Sequence, residues 1–222
     1  MVDPKDFFHS IRPKRITLQS KVLPWRTIGA DGQVFIIAEI GTDHNGDLSK
    51  AISLIDAAKK SGADCAKFQI VFADEIIHEG AGTIEAQGRT IPIYSAFKAL
   101  EQGGDFYASL KKETEARGLY FLCSVFGEKS VSLLETLGPC AVKVASPELN
   151  HIPLLDRISR MDTPVVLSTG LSTTCDIENA LAHLPAQTAV LHCVTSYPAP
   201  EEEYNLFSIP FLQAVYTRPV GV

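Results

Sequence analysis

Two lysines sit inside otherwise apolar runs of this sequence, Lys67 in "CAKFQIVF" and Lys143 in "CAVKVAS". A buried ammonium is costly unless something pairs with it. Either each lysine closes a structural ion pair, to Glu39 or Glu148, or the pair serves a strongly anionic small molecule or a Schiff base. Hydroxyls at Ser124, Ser146, Ser168 and Thr195 end similar runs and favour an anion cradle. Two lysines with several hydroxyl donors suit a ligand carrying both phosphate and carboxylate better than they suit an aldolase nucleophile. Glu39 and Glu148 read as an acid/base pair, as acceptors for sugar hydroxyls, or as the lysines' partners. Gln69 and Tyr197 stand beside them at the ends of their runs. His44, in the turn-like "TDHNG", either fixes its loop or takes part in chemistry, and His192 in "AVLHCVTS" reads as a satisfied core histidine. No HxxxH or HxH spacing suggests a self-contained metal site.

Such groups need elements that deliver them to one place. "FIIAEIGTDHNGD" begins as a buried strand and turns polar at Glu39. "GDLSKAISLIDAAKKSG" then places Leu48, Ala51, Ile52, Ile55 and Ala58 at helical spacing, with Asn45 or Asp47 to cap it and Gly62 to end it. "CAKFQIVF" is the next strand, so the opening unit is β-α-β. Helices near 105–117 and 128–137 end at Gly118 and Gly138 and lead to the strands "LYFLCSVF" and "CAVKVAS". "PLLDRISRM" leads to "PVVLSTG", "DIENALAHL" to "TAVLHCVTSY", and a helix near 205–215 to "RPVGV".

Strands that alternate with helices, each apolar enough to be buried on both faces, predict a parallel sheet with helical crossovers. An open doubly wound sheet and a (β/α)8 barrel both fit. Every strand here ends in groups suited to binding, and a barrel gathers all strand C-termini around one mouth, whereas an open sheet uses only those at its switch point. No glycine-rich phosphate fingerprint follows the first strand. The spacing therefore predicts an α/β fold of (β/α)8 TIM-barrel type, incomplete, with about six to seven of the eight strands over residues 31–222. Residues 1–30 read as an N-terminal extension with a β-hairpin. Successive strand ends lie fewer than 30 residues apart, except between Lys67 and Ser124. The excess there, residues 72–104, is either a substrate-contacting lid or decoration.

Composition limits the partners. Of 222 residues, 45% are hydrophobic and 21% charged, and the net charge of −6 argues against general affinity for nucleic acid or an anionic membrane. The five cysteines (Cys65, Cys123, Cys140, Cys175 and Cys193) show no CxxC spacing, and three lie in apolar runs. They read as reduced thiols of a cytoplasmic protein. The N-terminal "MVDPKDFFHSIRPKR" lacks the apolar run of a signal peptide.

The runs "FIIAEIGTDHNGDL", "GADCAKFQ", "YFLCSVF", "VKVASPELNH", "PVVLSTGL" and "LHCVTSYPAP", in unbroken order, resemble the sialic acid synthase family. That family spans N-acetylneuraminate synthases and their legionaminate, pseudaminate and spore-coat relatives. The resemblance implies condensation of phosphoenolpyruvate with an N-acetylated hexosamine, such as N-acetylmannosamine, to a nine-carbon 2-keto acid with release of phosphate. It also implies a bound divalent metal, usually Mn²⁺, and a homodimer at full length. By the same resemblance Lys67, Ser124, Lys143 and Ser146 hold phosphoenolpyruvate, with Ser168 nearby, and Gln69, Glu148 and Tyr197 face the amino sugar. Glu39 is the catalytic group, placed where the sugar carbonyl and water are managed. The sequence departs from the family at Ser124 (threonine), Val125 (proline) and Thr195 (asparagine).

In the family, the segment like "RPVGV" continues into a Ser-Asp-His motif, an eighth strand with a second histidine, and a C-terminal antifreeze-like domain. The two histidines bind the metal, so the resemblance places no metal ligand among these residues. The expectation is an incomplete barrel, inactive alone, that associates through an open, apolar strand edge. Two other readings stay open. One is a non-catalytic fragment or binding module that needs a second polypeptide. The other is a different phosphoenolpyruvate-dependent sugar-phosphate synthase.

Overall fold

A computed structural model describes residues 15–29, 33–86 and 88–222; half of the N-terminal extension, residues 1–14 and 30, lies outside them. In chain order the elements are β1 (Ile16–Leu18), β2 (Arg26–Ile28), β3 (Ile37–Gly41), α1 (Leu48–Lys60), β4 (Cys65–Gln69), α2 (Ala73–Ile76), β5 (Thr83–Ala86) and β6 (Arg89–Pro92). There follow α3 (Ile93–Lys98), α4 (Gly104–Ala116), β7 (Tyr120–Val125), α5 (Glu128–Thr136) and β8 (Val142–Val144). The chain ends with α6 (Ile152–Ser159), β9 (Val165–Ser168), α7 (Thr174–His183), β10 (Thr188–Leu191), α8 (Ser208–Tyr216) and β11 (Val220–Gly221). The chain divides into two compact units, one of Ser20–Leu23 with Phe35–Val142, the other of Lys143–Val222 with the described residues among 1–19 and 24–34.

In the first unit β4 pairs in parallel with β3 and with β7. β7 is buried along its whole length, as an apolar strand with neighbours should be. β3 departs from expectation. Its apolar lead-in was expected to be buried on both faces, yet Ile36 is 52% exposed and Ile37 and Ala38 are half-buried. Among the described residues of this unit β3 has one strand partner, β4, and a strand at an edge covers less of its own surface. α1 forms because Asp47 caps it, its carboxylate accepting from Ser49 N at 2.7 Å and Lys50 N at 3.1 Å. It buries Ala51, Ile55 and Ala58, and Gly62 ends it at φ +83°. Burial of an isoleucine such as Ile55 contributes about 1.5–3 kcal/mol.

The excursion between β4 and α4 is built from α2, the antiparallel hairpin β5–β6 and α3. α2 is tied to α5: the Glu75 carboxylate accepts from the Lys129 and Ser130 amides at the start of α5, and Asp74 pairs with the Lys129 ammonium. Carboxylates at a helix N-terminus meet unsatisfied N–H groups and the positive end of the dipole.

In the second unit β10 pairs in parallel with β9 and β11, and β8 lies on the other side of β9. β1 and β2 pair antiparallel, Ile16 opposite Ile28. β8 and β9 are buried throughout. α6 turns Leu154, Leu155 and Ile158 inward, and α7 starts on a reciprocal cap between Thr173 and Asp176. β10 ends sooner than the sequence suggests. Its last rung is Leu191 with Gly221, extended only by His192 N donating to Gly221 O at 2.9 Å, and Pro198 and Pro200 have no N–H to extend a ladder. Thr195 and Tyr197, read as strand-end residues, therefore stand in a loop, and both are exposed.

Candidate functional site

The strand geometry dictates the cluster of the first unit. Lys67 and Gln69 are two residues apart on β4 and so share a face. The register sets Glu39 opposite Lys67 and Ser124 opposite Gln69. A β-bulge between Glu39 and Gly41 re-aims the end of β3. Gly41 adopts φ +56°, and a Cβ there would lie 3.1 Å from Glu39 Oε1 and 3.8 Å from Gln69 Nε2. The glutamate thus folds back over the bulge beside the Gln69 amide, and its other oxygen pairs with the Lys67 ammonium. The Lys67 side chain is 11% exposed and that of Glu39 is 50% exposed. Lys67 Nζ also donates to the buried Ser124 hydroxyl at 3.5 Å. Tyr107 Oη, from α4, donates to Gln69 O at 3.0 Å and accepts from Val71 N at 3.4 Å, which fixes the end of β4.

His44 lies under this cluster. It is buried, its Nδ1 accepts from Gly46 N at 3.0 Å, and its ring packs against Phe106 and Phe68. Nε2 then carries the proton, and it is buried without a hydrogen-bond partner. Burial, reinforced by the Lys50 charge and opposed by Asp43, holds the imidazole below its ordinary pKa. A neutral ring that accepts from its own loop is the loop-fixing arrangement.

In the second unit Lys143, 5% exposed, donates from Nζ to Val144 O and to the Ser168 hydroxyl, both at 2.6 Å. Ser146 follows β8, and its hydroxyl accepts from Gly170 N at 3.0 Å. Cys193 Sγ lies 3.1 Å from that hydroxyl, and the Gly170 amide reaches it too, at 3.1 Å. A Cβ on Gly170 would lie 2.2 Å from Thr195 Oγ1, so the loop after β10 closes over a position that only glycine leaves open. Thr169 Oγ1 donates to Leu191 O at 3.0 Å and ties β9 to β10.

Glu39, Lys67, Gln69 and Ser124 are thus gathered in one unit, and Lys143, Ser168, Ser146 and Thr195 in the other. One expected residue stands apart. Tyr197 is 95% exposed. The Glu148 carboxylate lies 3.0 Å from His151 Nδ1, a partner that the sequence reading did not weigh. His192 is half-buried rather than a core residue, and its Nε2 meets the Tyr204 carbonyl at 2.6 Å. Gly170 and Cys193 were missed. The signal was there in "STG" and "HC", a glycine and a thiol just past two strands, but periodicity does not say that separate strand ends meet.

All five thiols are free. Burial pushes the thiols of Cys65 and Cys123 far up and that of Cys140 up to about 11, while Cys175 is exposed. Among the described residues no three His, Cys, Asp or Glu side chains gather as metal ligands. The described residues offer no ligand set for the divalent metal that the family resemblance implies. No helix among the described residues is long and apolar enough to cross a membrane.

Comparison with known proteins places this geometry. The NeuB family profile matches residues 54–222. The chain is 38% identical over 200 residues to the spore coat polysaccharide biosynthesis protein SpsE of Bacillus subtilis, covering 88% of this chain and 54% of the relative. It is 32% identical over 205 residues to the N,N'-diacetyllegionaminic acid synthase of Legionella pneumophila, covering 87% and 58%. Among solved structures, an N-acetylneuraminic acid synthetase from Leptospira borgpetersenii, in complex with citrate, matches with a TM-score of 0.80 at 30% identity, over 93% of this chain and 70% of that one. The chain thus spans little more than half the length of these curated relatives. Its strand–helix alternation is of the TIM-barrel type.

Proposed function

We propose that this chain, which belongs to the NeuB family, carries substrate-binding residues of a synthase that joins phosphoenolpyruvate to an N-acetylated amino sugar. The product is a nine-carbon 2-keto acid of the N-acetylneuraminate kind, and phosphate is released. The observation that carries the reading is Lys143: a buried ammonium that donates to a carbonyl and to the Ser168 hydroxyl, in the unit that also brings Ser146 to the Gly170 amide. A buried ammonium with a serine hydroxyl beside it offers a carboxylate or phosphate oxygen a charge-assisted bond.

The reaction sets two tasks. The enol carbon of phosphoenolpyruvate must attack the open-chain aldehyde of the sugar, and water must then add to the oxocarbenium-like carbon before phosphate departs. Lys143, Ser168 and Ser146 bind and orient the anion. Lys67 and Ser124 offer the same pair of donors, an ammonium and a hydroxyl. Glu39, half-exposed at the end of β3 and directed by Lys67, takes the proton of the attacking water, while Gln69 offers its amide to the sugar. Homodimeric assembly and cytoplasmic residence belong to the same proposal.

Calorimetric titration tests it. Phosphoenolpyruvate should bind saturably and at least about tenfold more tightly than pyruvate or inorganic phosphate, because each of these lacks one of the two anionic groups. Phosphoenolpyruvate that binds no better than phosphate alone would contradict the reading.

A further inference from the structure

We infer that Cys193 is a positioning residue: together with the Gly170 amide it fills the acceptor side of the Ser146 hydroxyl and so directs that hydroxyl's proton at the anionic substrate. The inference rests on the phosphoenolpyruvate reading above and goes one step beyond it.

A serine hydroxyl has one proton and two lone pairs. Gly170 N donates to Ser146 Oγ at 3.0 Å and takes one of them. Cys193 Sγ, 3.1 Å from the same oxygen, is placed to take the other with its S–H. The shared amide also reaches the sulfur, at 3.1 Å, and satisfies its weak acceptor side, which leaves the thiol proton for the serine. With both lone pairs occupied, Ser146 has only its proton to offer, and an anion is the group that wants it. A hydroxyl without this arrangement would instead be free to turn its proton toward the sulfur and its lone pair toward the ligand, which repels an anion.

The surroundings hold the thiol in place. His192, its neighbour, is fixed by its backbone bond to Gly221 O and by its ring contact with the Tyr204 carbonyl. Thr195 packs over Gly170 from the same loop. The other thiols meet different surroundings: Cys65 and Cys140 donate to backbone carbonyls, Cys123 is fully buried, and Cys175 is exposed.

Two substitutions and one spectroscopic measurement test the inference. Cys193→Ser keeps a donor at this position and should hold phosphoenolpyruvate within about twofold of wild type, whereas Cys193→Ala should bind it roughly five- to tenfold more weakly. The thermal unfolding midpoint, measured alongside, should be close to wild type in both variants, so that weaker binding does not reflect unfolding. Equal affinity in Cys193→Ala and wild type overturns the inference. The S–H stretching band of Cys193, isolated as the infrared difference between wild type and Cys193→Ser, needs no ligand. It should move to higher frequency in Ser146→Ala, which removes the acceptor; an unmoved band also overturns the inference. If wild type binds no phosphoenolpyruvate yet the band moves, the functional reading fails and the hydrogen-bond arrangement stands.

Discussion

Lys67 and Lys143 are both buried cations on strands, and the two clusters compensate them by different chemistry. Lys67 rests against Glu39, a carboxylate with half of its side-chain surface in solvent. Lys143 lies deeper and donates to a carbonyl and a hydroxyl at 2.6 Å each. In the first cluster the opposite charge is supplied by the chain itself, on a carboxylate half exposed to solvent. In the second, the ammonium donates to a carbonyl and to a serine hydroxyl within the sheet, and a ligand anion that reaches it gains a charge-assisted bond. Desolvating a charge is expensive, so such a position is kept where it serves a ligand more readily than where it serves stability alone.

The largest effect should come from removing each cation in turn. Lys143→Met leaves the Ser168 hydroxyl and the Val144 carbonyl without their donor in a buried place, and should cost about 2–3 kcal/mol of folding stability. Lys67→Met returns Glu39 to solvent and should cost no more than about 1 kcal/mol. Urea unfolding midpoints of the two variants measure the difference, and equal losses would break the comparison.

Each cluster also has a glycine that its neighbours crowd, and these sharpen the contrast. At Gly41 an alanine meets both a left-handed backbone and the Glu39 carboxylate, so Gly41→Ala should cost about 1–2 kcal/mol from the backbone alone. At Gly170 the backbone is not left-handed, and the obstruction comes from side-chain atoms, Thr195 Oγ1 at 2.2 Å, Ser146 Oγ at 3.0 Å and Cys193 Sγ at 3.1 Å, the closest of them on an exposed side chain. Gly170→Ala should therefore lose less stability, roughly 1 kcal/mol or less, and more phosphoenolpyruvate affinity. Calorimetry with unfolding measurements on both variants separates the two, and the reverse ranking would contradict the account.

The smallest effect concerns acid. His44 in the folded chain is held below the ordinary value of 6.5, chiefly by burial. The unfolded chain then binds a proton that the folded chain resists, so stability falls as pH drops through about 6.5 toward the folded value. His44→Phe keeps a ring between Phe68 and Phe106 and removes the titration. The variant should lose less stability than wild type between about pH 7.5 and pH 5.5. An identical loss in both would show that folding leaves the His44 pKa unchanged.

Much of this was legible in the sequence, for physical reasons. Helical spacing with Asp47 before it and Gly62 after it marked α1, and short apolar runs between helices marked the parallel strands. Lys67 and Lys143 stood out because a charge inside an apolar run demands an explanation. The hairpin β5–β6 went unread although Gly88, at φ +72°, sits between two short runs that contain Thr and Ile. Thr195 and Tyr197 were assigned to a strand end because an apolar run says nothing about where its ladder partner stops. Gly170 and Cys193 were invisible for a related reason. Their significance lies in a shared amide between segments 24 and 47 residues apart from Ser146, and pairing over that distance leaves no periodic trace.

The central proposal is that Lys143 holds phosphoenolpyruvate, and equilibrium binding of that compound to wild type and Lys143→Met tests it most directly, with folding confirmed for both. Loss of a charge-assisted contact is worth roughly 1.5–3 kcal/mol, so the variant should bind about tenfold or more weakly. Wild-type affinity in the folded variant would contradict the proposal and leave Lys143 as a structural cation.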